Sequence, residues 1–442
     1  MSGDNSNTRM SGKYPVTKDH CPVCEELQEN MDVSIIEKIF SSKVPKPKDL
    51  PVHNWYSFVH SYSPKFVGYE IEKKEIDSGK KVLDPFSGAG TTLVSCKMNG
   101  IESVGVDVVD FLVFSGKVKT TWNVDSEEFI ETSKEIAKEV IEKKFTDDLE
   151  TERPELMKES YLSDDPLAKL QSFKKEISKV NNDKIRNLLR LVLSSIVVPA
   201  SNVSFGPNFG LRKAKETVNV VGMFKEKTNR IKEDLEEVQP LNGTEAYVKK
   251  GDTRKLSNVL KNQKFDHVIT SPPYPQDHDY SRQTRLELVL LDYVEDTEDL
   301  RKLKKEMVRA STRGVYKEDD DYQYVKKFDE ISSLVEEVKG RVEETGGTSG
   351  FEKIYHRVVG EYFGGMYRCL KEIYKVLKDG GTCAFLVGDS HAFKFTHIQT
   401  AELLGKLGLD VGFERYEKEL WQDIGSTAHD YPVPEYILEL YK

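Results

Sequence analysis

The sequence predicts an α/β protein built on a Rossmann-like, doubly wound and mostly parallel sheet with helical insertions. The first observation is a unit of strand, glycine-rich turn, helix and strand, which runs from Lys80–Asp84 to Ser103–Asp107. The second is that both strands are short, apolar and end in a carboxylate. The third is that strand patterns return later in the chain, separated by helical patterns, which is typical of parallel sheets.

The other elements follow from the same patterns. The helix after the turn, LVSCKMNG, ends at Gly100, and a short helix is expected near Val33–Phe40. Later strands are predicted by apolar runs between turn residues, at Ala246–Lys250, Phe265–Thr270, Thr382–Gly388, Phe413–Leu420 and Glu435–Tyr441. Later helices are predicted at about Phe351–Leu377 and Ala401–Leu407.

Two polar stretches with helical spacing interrupt these elements, and we interpret both as insertions. The first covers 111–245 and contains the non-helical break SNVSFGPNFG, and the second covers 284–350. They leave an N-terminal extension at 1–50 and a discontinuous core at 51–110 and 246–442.

Composition and charge exclude several classes of protein. The apolar runs are too short to cross a bilayer, and the polar start lacks a signal core, so we expect a cytoplasmic protein. Five cysteines without regular spacing argue against a disulfide framework. Cys21 and Cys24 resemble half of a zinc site, but no second pair completes four ligands. We therefore expect no metal, although the sequence leaves the role of this pair open.

A formal net charge of −10 opposes nucleic-acid binding only if it is spread evenly over the surface. Basic clusters occur at Arg212–Lys215, Lys225–Lys232 and Arg301–Arg313. Each cluster is either part of a basic cleft or a solvated helix face, and for a single cluster taken alone the solvated face is the better interpretation.

The turn DPFSGAGTT, at Asp84–Thr92, predicts a ligand that approaches the backbone closely. It lacks both GxGxxG and GK[ST], which argues against a nucleoside triphosphate. The Asp84 carboxylate suits a cationic amino group, and Asp107 suits ribose hydroxyls. Together they indicate a nucleoside that carries an amino acid, as S-adenosylmethionine does. The alternative is a tight turn that only packs a helix on the sheet.

The segment TSPPY, at Thr270–Tyr274, directly follows a predicted strand. Its two prolines stiffen the backbone and remove two N–H donors, which leaves carbonyl acceptors. These carbonyls and the Ser271 hydroxyl could accept hydrogen bonds from a target NH2 group and free its lone pair. The ring of Tyr274 offers a face on which a base could stack. The alternative, a simple proline-rich loop, fits its place at a strand's carboxyl end less well.

These motifs together resemble the DNA amino-methyltransferases, the cytosine-N4 and adenine-N6 enzymes of restriction–modification type. The resemblance covers about 55–110, 246–292 and 351–440 and implies a class I methyltransferase fold. HSYSPKF, at His60–Phe66, is similar to the segment over the methionine end of the cofactor, and GDTRKL, at Gly251–Leu256, to the segment contacting its adenine.

The resemblance also implies site residues. The catalytic group would be Ser271, Pro272, Pro273 and Tyr274. S-adenosylmethionine would contact Lys65, Phe66, Asp84, Pro85, Phe86, Ser87, Gly88, Gly90, Thr91, Thr92, Asp107, Val108, Asp252 and Thr253. VGVDVVD lacks the Asn–Pro that commonly follows the acid in this family, which leaves the contacts after Asp107 open.

A serine before the PPY tripeptide is commoner in the cytosine-N4 enzymes, so the resemblance favours methylation of cytosine N4 in double-stranded DNA. The target base would be flipped out of the duplex, and a cognate restriction endonuclease would be a further partner. DNA contacts are expected from Tyr280, Arg282, Arg285, Arg212 and Lys213. The first insertion, 111–245, is the candidate target-recognition region. The alternatives are an adenine-N6 enzyme, an RNA or protein amino-methyltransferase, and a catalytically silent DNA-binding module.

Overall fold

The computed structural model describes residues 50–145, 152–205, 209–215, 217–347, 349–424 and 433–442. The expected helix near Val33–Phe40 and the pair of Cys21 and Cys24 lie outside these residues. The described strands are β1 Lys81–Asp84, β2 Glu102–Asp107, β3 Val203–Phe205, β4 Phe209–Leu211, β5 Ala246–Lys250, β6 Phe265–Thr270, β7 Leu377–Gly388, β8 Arg415–Ile424 and β9 Val433–Tyr441.

Seven of these strands form one sheet in the order β5-β2-β1-β6-β7-β9-β8, and β3 and β4 form a separate hairpin. The neighbours from β5 to β7 pair in parallel, and β9 is antiparallel to both β7 and β8. The strand order reverses between β1 and β6. Open α/β sheets bind ligands at such a point, beyond the carboxyl ends of the strands. The predicted doubly wound, mostly parallel α/β fold is confirmed.

Helices cover both faces of the sheet and build a separate layer beside it. Those described are α1 Pro64–Lys73, α2 Thr91–Met98, α3 Asp110–Lys119, α4 Ser126–Phe145, α5 Asp164–Ser178, α6 Asp183–Ala200, α7 Val220–Val238, α8 Leu256–Val259, α9 Tyr280–Gln283, α10 Arg285–Leu290, α11 Thr297–Glu306, α12 Asp329–Glu344, α13 Tyr355–Val376, α14 Ala392–Phe395 and α15 Thr400–Val411. Within the described ranges, no helix combines the length and apolarity needed to span a bilayer.

Consecutive residues of a strand point to opposite faces of the sheet. Since helices cover both faces, the residues on either side are buried. Val82 and Ile269 belong to one buried cluster, whereas Leu83 and Val268 belong to another on the opposite face. A third and larger cluster joins α3 to α7 with the segment 50–58. The binding edge of the sheet is therefore held rigidly from both sides.

Helix α3 lies almost entirely within the range predicted as the first insertion, yet it packs directly on the sheet. A Cβ atom at Gly116 would stand 2.6 Å from Val248 Cγ2, so only a glycine lets the helix approach β5 this closely. The helices that follow, α4 to α7, pack mainly on one another.

The second predicted insertion, 284–350, was expected to be helical and is divided in the structure. α10, α11 and α12 occupy parts of it, and a mostly non-helical segment at 307–328 separates the last two. Arg309 pairs with Asp319 at 2.8 Å and also donates to the Lys304 carbonyl near the end of α11. These non-local bonds stabilise a loop that helical spacing cannot reveal.

Candidate active site at the carboxyl edge of the sheet

The glycine-rich turn after β1 is bound to the neighbouring strand β2. Ser87 N donates to Val106 O at 3.0 Å, and Gly88 N donates to Asp107 Oδ2 at 2.9 Å. Gly90, with φ of 89°, precedes α2, and a Cβ there would stand 3.2 Å from Gly116 Cα. The turn therefore needs a glycine for both its backbone angle and its contact with α3.

Asp107 ends β2 at the same edge. Its Oδ1 accepts from Val109 N at 2.9 Å, so each carboxylate oxygen already accepts one backbone N–H. Burial raises the pKa of Asp107 to about 6, against the opposing effect of these hydrogen bonds. Each oxygen keeps a further lone pair that could accept from a ligand hydroxyl.

Asp84, at the end of β1, joins the two central strands. Its Oδ1 accepts from Thr270 Oγ1 at 2.6 Å and from Phe86 N at 3.1 Å, and its Oδ2 accepts from Tyr62 Oη at 2.7 Å. The side chain is fully buried, and burial raises its pKa to about 6. Asp84 therefore lies beneath the binding edge and fixes the end of β1 against the end of β6.

The loop Ser271–Tyr274 directly follows β6 and is called the target loop below. Ser271 Oγ donates to Tyr274 Oη at 3.3 Å, and Tyr274 Oη donates to Glu435 Oε1 at 2.8 Å. Tyr274 N in turn donates to Tyr280 Oη at 3.3 Å. The loop is thus bound on one side to β9 and on the other to α9.

A single cavity of about 430 Å³ brings the two halves of this edge together. Its wall includes the turn residues Pro85 to Ala89, the strand-end acids Asp107 and Asp252, and the complete loop Ser271–Tyr274. This volume is in the range of small-molecule sites in proteins. The structure therefore places the predicted cofactor turn and the predicted catalytic loop in one pocket.

An aromatic cluster forms another part of the wall. The ring centroids of His60 and His278 are 4.7 Å apart, and those of His60 and Tyr280 are 5.3 Å apart. Burial lowers the pKa of His60 to about 4 and also lowers that of His278, so both rings are neutral at pH 7. Neutral flat rings beside the target loop provide surfaces on which a base can stack.

The wall on the Asp252 side is held by one arginine. Arg254 pairs with Asp252 at 3.0 Å and with Asp321 at 3.0 Å. Its Nη2 also donates to the carbonyls of Lys305 and Glu306 at 3.2 Å each. This side chain thereby joins the loop after β5 to the end of α11, which lines the cavity.

Several predicted contacts lie outside the cavity wall. Lys65 is exposed on α1, and Phe66 is fully buried in the cluster beneath the sheet. Arg212 and Lys213 are exposed beyond the hairpin of β3 and β4. Predicted residues that do not line the cavity are Lys65, Phe66, Asp84, Gly90, Thr92, Arg212, Lys213, Arg282 and Arg285.

The remaining predicted residues line the cavity: Pro85, Phe86, Ser87, Gly88, Thr91, Asp107, Val108, Asp252, Thr253, Ser271, Pro272, Pro273, Tyr274 and Tyr280. Burial lowers the pKa of Arg282, and the positive charges of the nearby Arg313 and Arg285 lower it further. These three arginines form a positive group beside α9, although they are separated in sequence.

Sequence reasoning missed several residues of the wall. Phe58 to Tyr62 line it, whereas the residues chosen from the HSYSPKF segment come three to four positions later. Glu435 also lines it, but its sequence context, PVPEYILEL, indicates only a strand. The polar segment before α1 could have indicated Phe58 to Tyr62. The sequence contains no signal that would indicate Glu435.

The cavity fits a nucleoside that carries an amino acid. Asp107 supplies carboxylate acceptors, and the positive φ of 47° at Gly88 exposes backbone next to them. Ser87 Oγ is buried at the turn and has no hydrogen-bond partner within the described part of the chain. An S-adenosylmethionine molecule could satisfy this hydroxyl. Among the described residues, no cluster of three His, Cys, Asp or Glu side chains has the geometry to hold a metal ion.

Curated methyltransferases align with much of the chain. The Type II methyltransferase M.BsoBI of Geobacillus stearothermophilus is 27% identical over 421 residues, which cover 83% of this chain and 79% of that protein. The Type II methyltransferase M.AvaI of Anabaena variabilis is 23% identical, with 86% and 82% covered. The Type II methyltransferase M.MjaII of Methanocaldococcus jannaschii is 22% identical, with 53% and 62% covered.

No established family model matches the sequence. Among solved structures, the rRNA methyltransferase aviRa of Streptomyces viridochromogenes aligns over 93% of both chains at 9% identity, with a TM-score of 0.30. That similarity is too low to bear on fold or function.

Proposed function

Because this chain belongs to the DNA methyltransferase family, whose Type II members are its relatives, we propose that it methylates an exocyclic amine of a flipped base in double-stranded DNA. The methyl donor would be S-adenosylmethionine. The observation that carries the proposal is the shared cavity, in which the turn after β1 and the loop Ser271–Tyr274 form adjoining walls.

The residues of the turn would hold the cofactor. Asp107 would accept hydrogen bonds from ribose hydroxyls, and Asp252, oriented by Arg254, would contact the adenine amine. Ser87 and Gly88 would contact the amino-acid part through the Ser87 hydroxyl and exposed backbone. When bound, S-adenosylmethionine supplies a methyl group attached to a positively charged sulfur.

The target loop would hold the acceptor. Ser271 Oγ and the carbonyls near Pro272 and Pro273 accept hydrogen bonds from the target NH2 group, which localises the nitrogen lone pair. Tyr274 and Tyr280 would stack against or border the flipped base. Base flipping costs a few kcal/mol, and aromatic stacking, at about 1–3 kcal/mol per base, offsets much of it.

Within this function we favour cytosine N4 over adenine N6, because serine is the first residue of the loop. The neutral Ser271 hydroxyl both donates and accepts, so it accommodates an amine without adding charge. The insertions at 111–245 and 284–350 would recognise the target sequence, with Arg282, Arg285 and Arg313 near its phosphates.

The test uses the full chain, labelled S-adenosylmethionine and duplex DNA, followed by digestion to nucleosides. We expect the label in N4-methylcytosine. Label only in N6-methyladenine would contradict the choice of base and keep the reaction. Label in tRNA or ribosomal RNA but not in DNA would contradict the substrate, and calorimetry without cofactor binding would favour a silent DNA-binding module.

A further inference from the structure

We infer that Glu435 is a positioning residue, which orients a chain of hydrogen bonds so that Ser271 Oγ becomes an acceptor toward the target amine. The inference rests on the proposed amine methylation. It adds a residue from β9, a strand far along the chain from the SPPY loop.

The direction of the chain follows from the number of protons available. Tyr274 has one hydroxyl proton, and two acceptors compete for it, Glu435 Oε1 at 2.8 Å and Leu386 O at 3.2 Å. A carboxylate at the shorter distance is the stronger acceptor. Burial and the nearby carboxylate hold the pKa of Tyr274 well above its usual range, so the phenol keeps its proton.

Because the Tyr274 hydroxyl donates its one proton to Glu435 in a hydrogen bond, the phenol oxygen can only accept from Ser271. The Ser271 proton is thereby used, and the remaining lone pairs of Ser271 Oγ are free for the cavity. Pro272 and Pro273 have no N–H, so these two residues offer Ser271 no competing donors. An incoming NH2 group is then the best matched partner.

The carboxylate is fixed by the sheet. Glu435 is 6% exposed, and its Oε2 accepts from Gln422 Nε2 at 2.7 Å. It lies opposite Gly388 of β7, where a Cβ would stand 3.2 Å from Tyr274 Cε2. The glycine makes room for the tyrosine ring, and the antiparallel strand places the acid beneath its hydroxyl.

The decisive variant is Glu435→Gln, which keeps the shape and removes the charge. We expect kcat to fall about ten- to a hundredfold, the range for losing a hydrogen bond to a charged group. KM values for DNA and S-adenosylmethionine should stay within twofold. Tyr274→Phe, which deletes only the linking hydroxyl, should give the same pattern and serves if the first variant does not fold.

The matched control is Glu439→Gln, on the same face of β9. Glu439 is 2% exposed but pairs with Lys73 and Lys74, away from the target loop. That variant should lose stability and keep its kcat. An equal fall of kcat in both variants would assign Glu435 a merely structural role and overturn the inference.

A double-variant cycle tests whether Glu435 acts through Ser271. In single-turnover assays, Glu435→Gln should add no further loss to Ser271→Ala. Independent, multiplying losses would overturn the inference, and so would an unchanged kcat in Glu435→Gln. If the wild-type chain methylates no amine, the proposed function itself has failed, and the wild-type assay alone shows this.

Discussion

Single residues at the carboxyl edge of the sheet are expected to contribute differently to binding and to turnover. Ser271 lines the cavity and, of the two reactants, is expected to contact only the acceptor base. We predict that Ser271→Ala lowers kcat by about 100-fold, comparable to removing one preorganised polar group from other active sites. The affinity for S-adenosylmethionine, measured by calorimetry, should not change.

Asp84→Ala is the contrasting variant for that experiment. Its loss leaves Thr270, Tyr62 and the Phe86 N–H without their shared acceptor. The affinity for the cofactor should therefore fall, whereas kcat at saturating cofactor should change less. Full activity in Ser271→Ala, or the two variants behaving alike, would contradict the assigned division of roles.

A buried carboxylate away from the cavity wall predicts a pH effect on stability. Glu287 is fully buried, accepts from Tyr56 Oη at 2.9 Å, and has a pKa raised by burial to about 7. Because the folded chain holds this proton more tightly than the unfolded one, stability is lost as pH rises from about 4.5 to 7. Glu287→Gln removes that loss.

We therefore expect Glu287→Gln to be more stable than wild type at pH 8, by up to about 3 kcal/mol. The difference should shrink toward zero at about pH 3.5, one unit below the ordinary carboxyl pKa, where the acid is protonated in both states. Urea unfolding at the two pH values measures it. A difference independent of pH would show that folding does not raise the pKa of Glu287.

The sequence predicted residues of the cavity wall only where a local motif contains them. The turn after β1 and the SPPY loop are contiguous segments, and the structure brings both to one cavity. Glu435 could not be predicted in this way, because a glutamate in a strand does not reveal what it contacts across the sheet. Tyr62 and His60 were not chosen, because residue spacing did not show that α1 begins at Pro64 and leaves both residues in the cavity wall.

At the scale of elements, the loop after β5 and the end of α11 depend on a shared buried ion pair. We predict that Arg254→Met destabilises the chain by about 3–5 kcal/mol, since it leaves the buried Asp321 and the partly buried Asp252 with reduced compensation. It should also weaken cofactor binding, because Asp252 loses its orientation. Unfolding curves and calorimetry measure the two effects.

Arg341→Met is the control for this prediction. Arg341 pairs with Glu337 on the exposed side of α12. Its replacement should change stability by no more than about 0.5 kcal/mol. Comparable losses in both variants would show that the Arg254 network does not brace the cavity wall.

Element boundaries were predictable where the chain signals were local. β5 and β6 begin and end where the apolar runs do, because turn residues bound them on both sides. β7 begins five residues before its predicted start, since Leu377 pairs with β6 and both Gly380 and Gly381 form backbone hydrogen bonds with Lys442. The loop at 307–328 was not predictable, because ion pairs across the loop define it.

At the scale of the whole molecule, a chain of net charge −10 would bind a polyanion only through a local basic surface. We predict that DNA affinity falls steeply with salt, as counterion release requires. Arg282→Ala and Arg313→Ala should each reduce the slope of log K against log salt by about 1. Fluorescence anisotropy with a labelled duplex measures it.

Arg415→Ala is the matched control, at the start of β8 and thus at the opposite edge of the sheet. Its salt slope should equal that of wild type. An unchanged slope in the Arg282 and Arg313 variants would place the phosphate contacts elsewhere, with Arg212 and Lys213 as the next pair to replace.

The hydrogen bond from Thr270 to Asp84 has a consequence for how the two reactants meet. It ties the ends of two adjacent parallel strands, whose separation in any sheet is about 4.8 Å. Donor and acceptor would then be aligned by the scaffold before either arrives, without a hinge that must swing shut. In such an enzyme the slow conformational change would be the opening of the DNA duplex as the target base flips out.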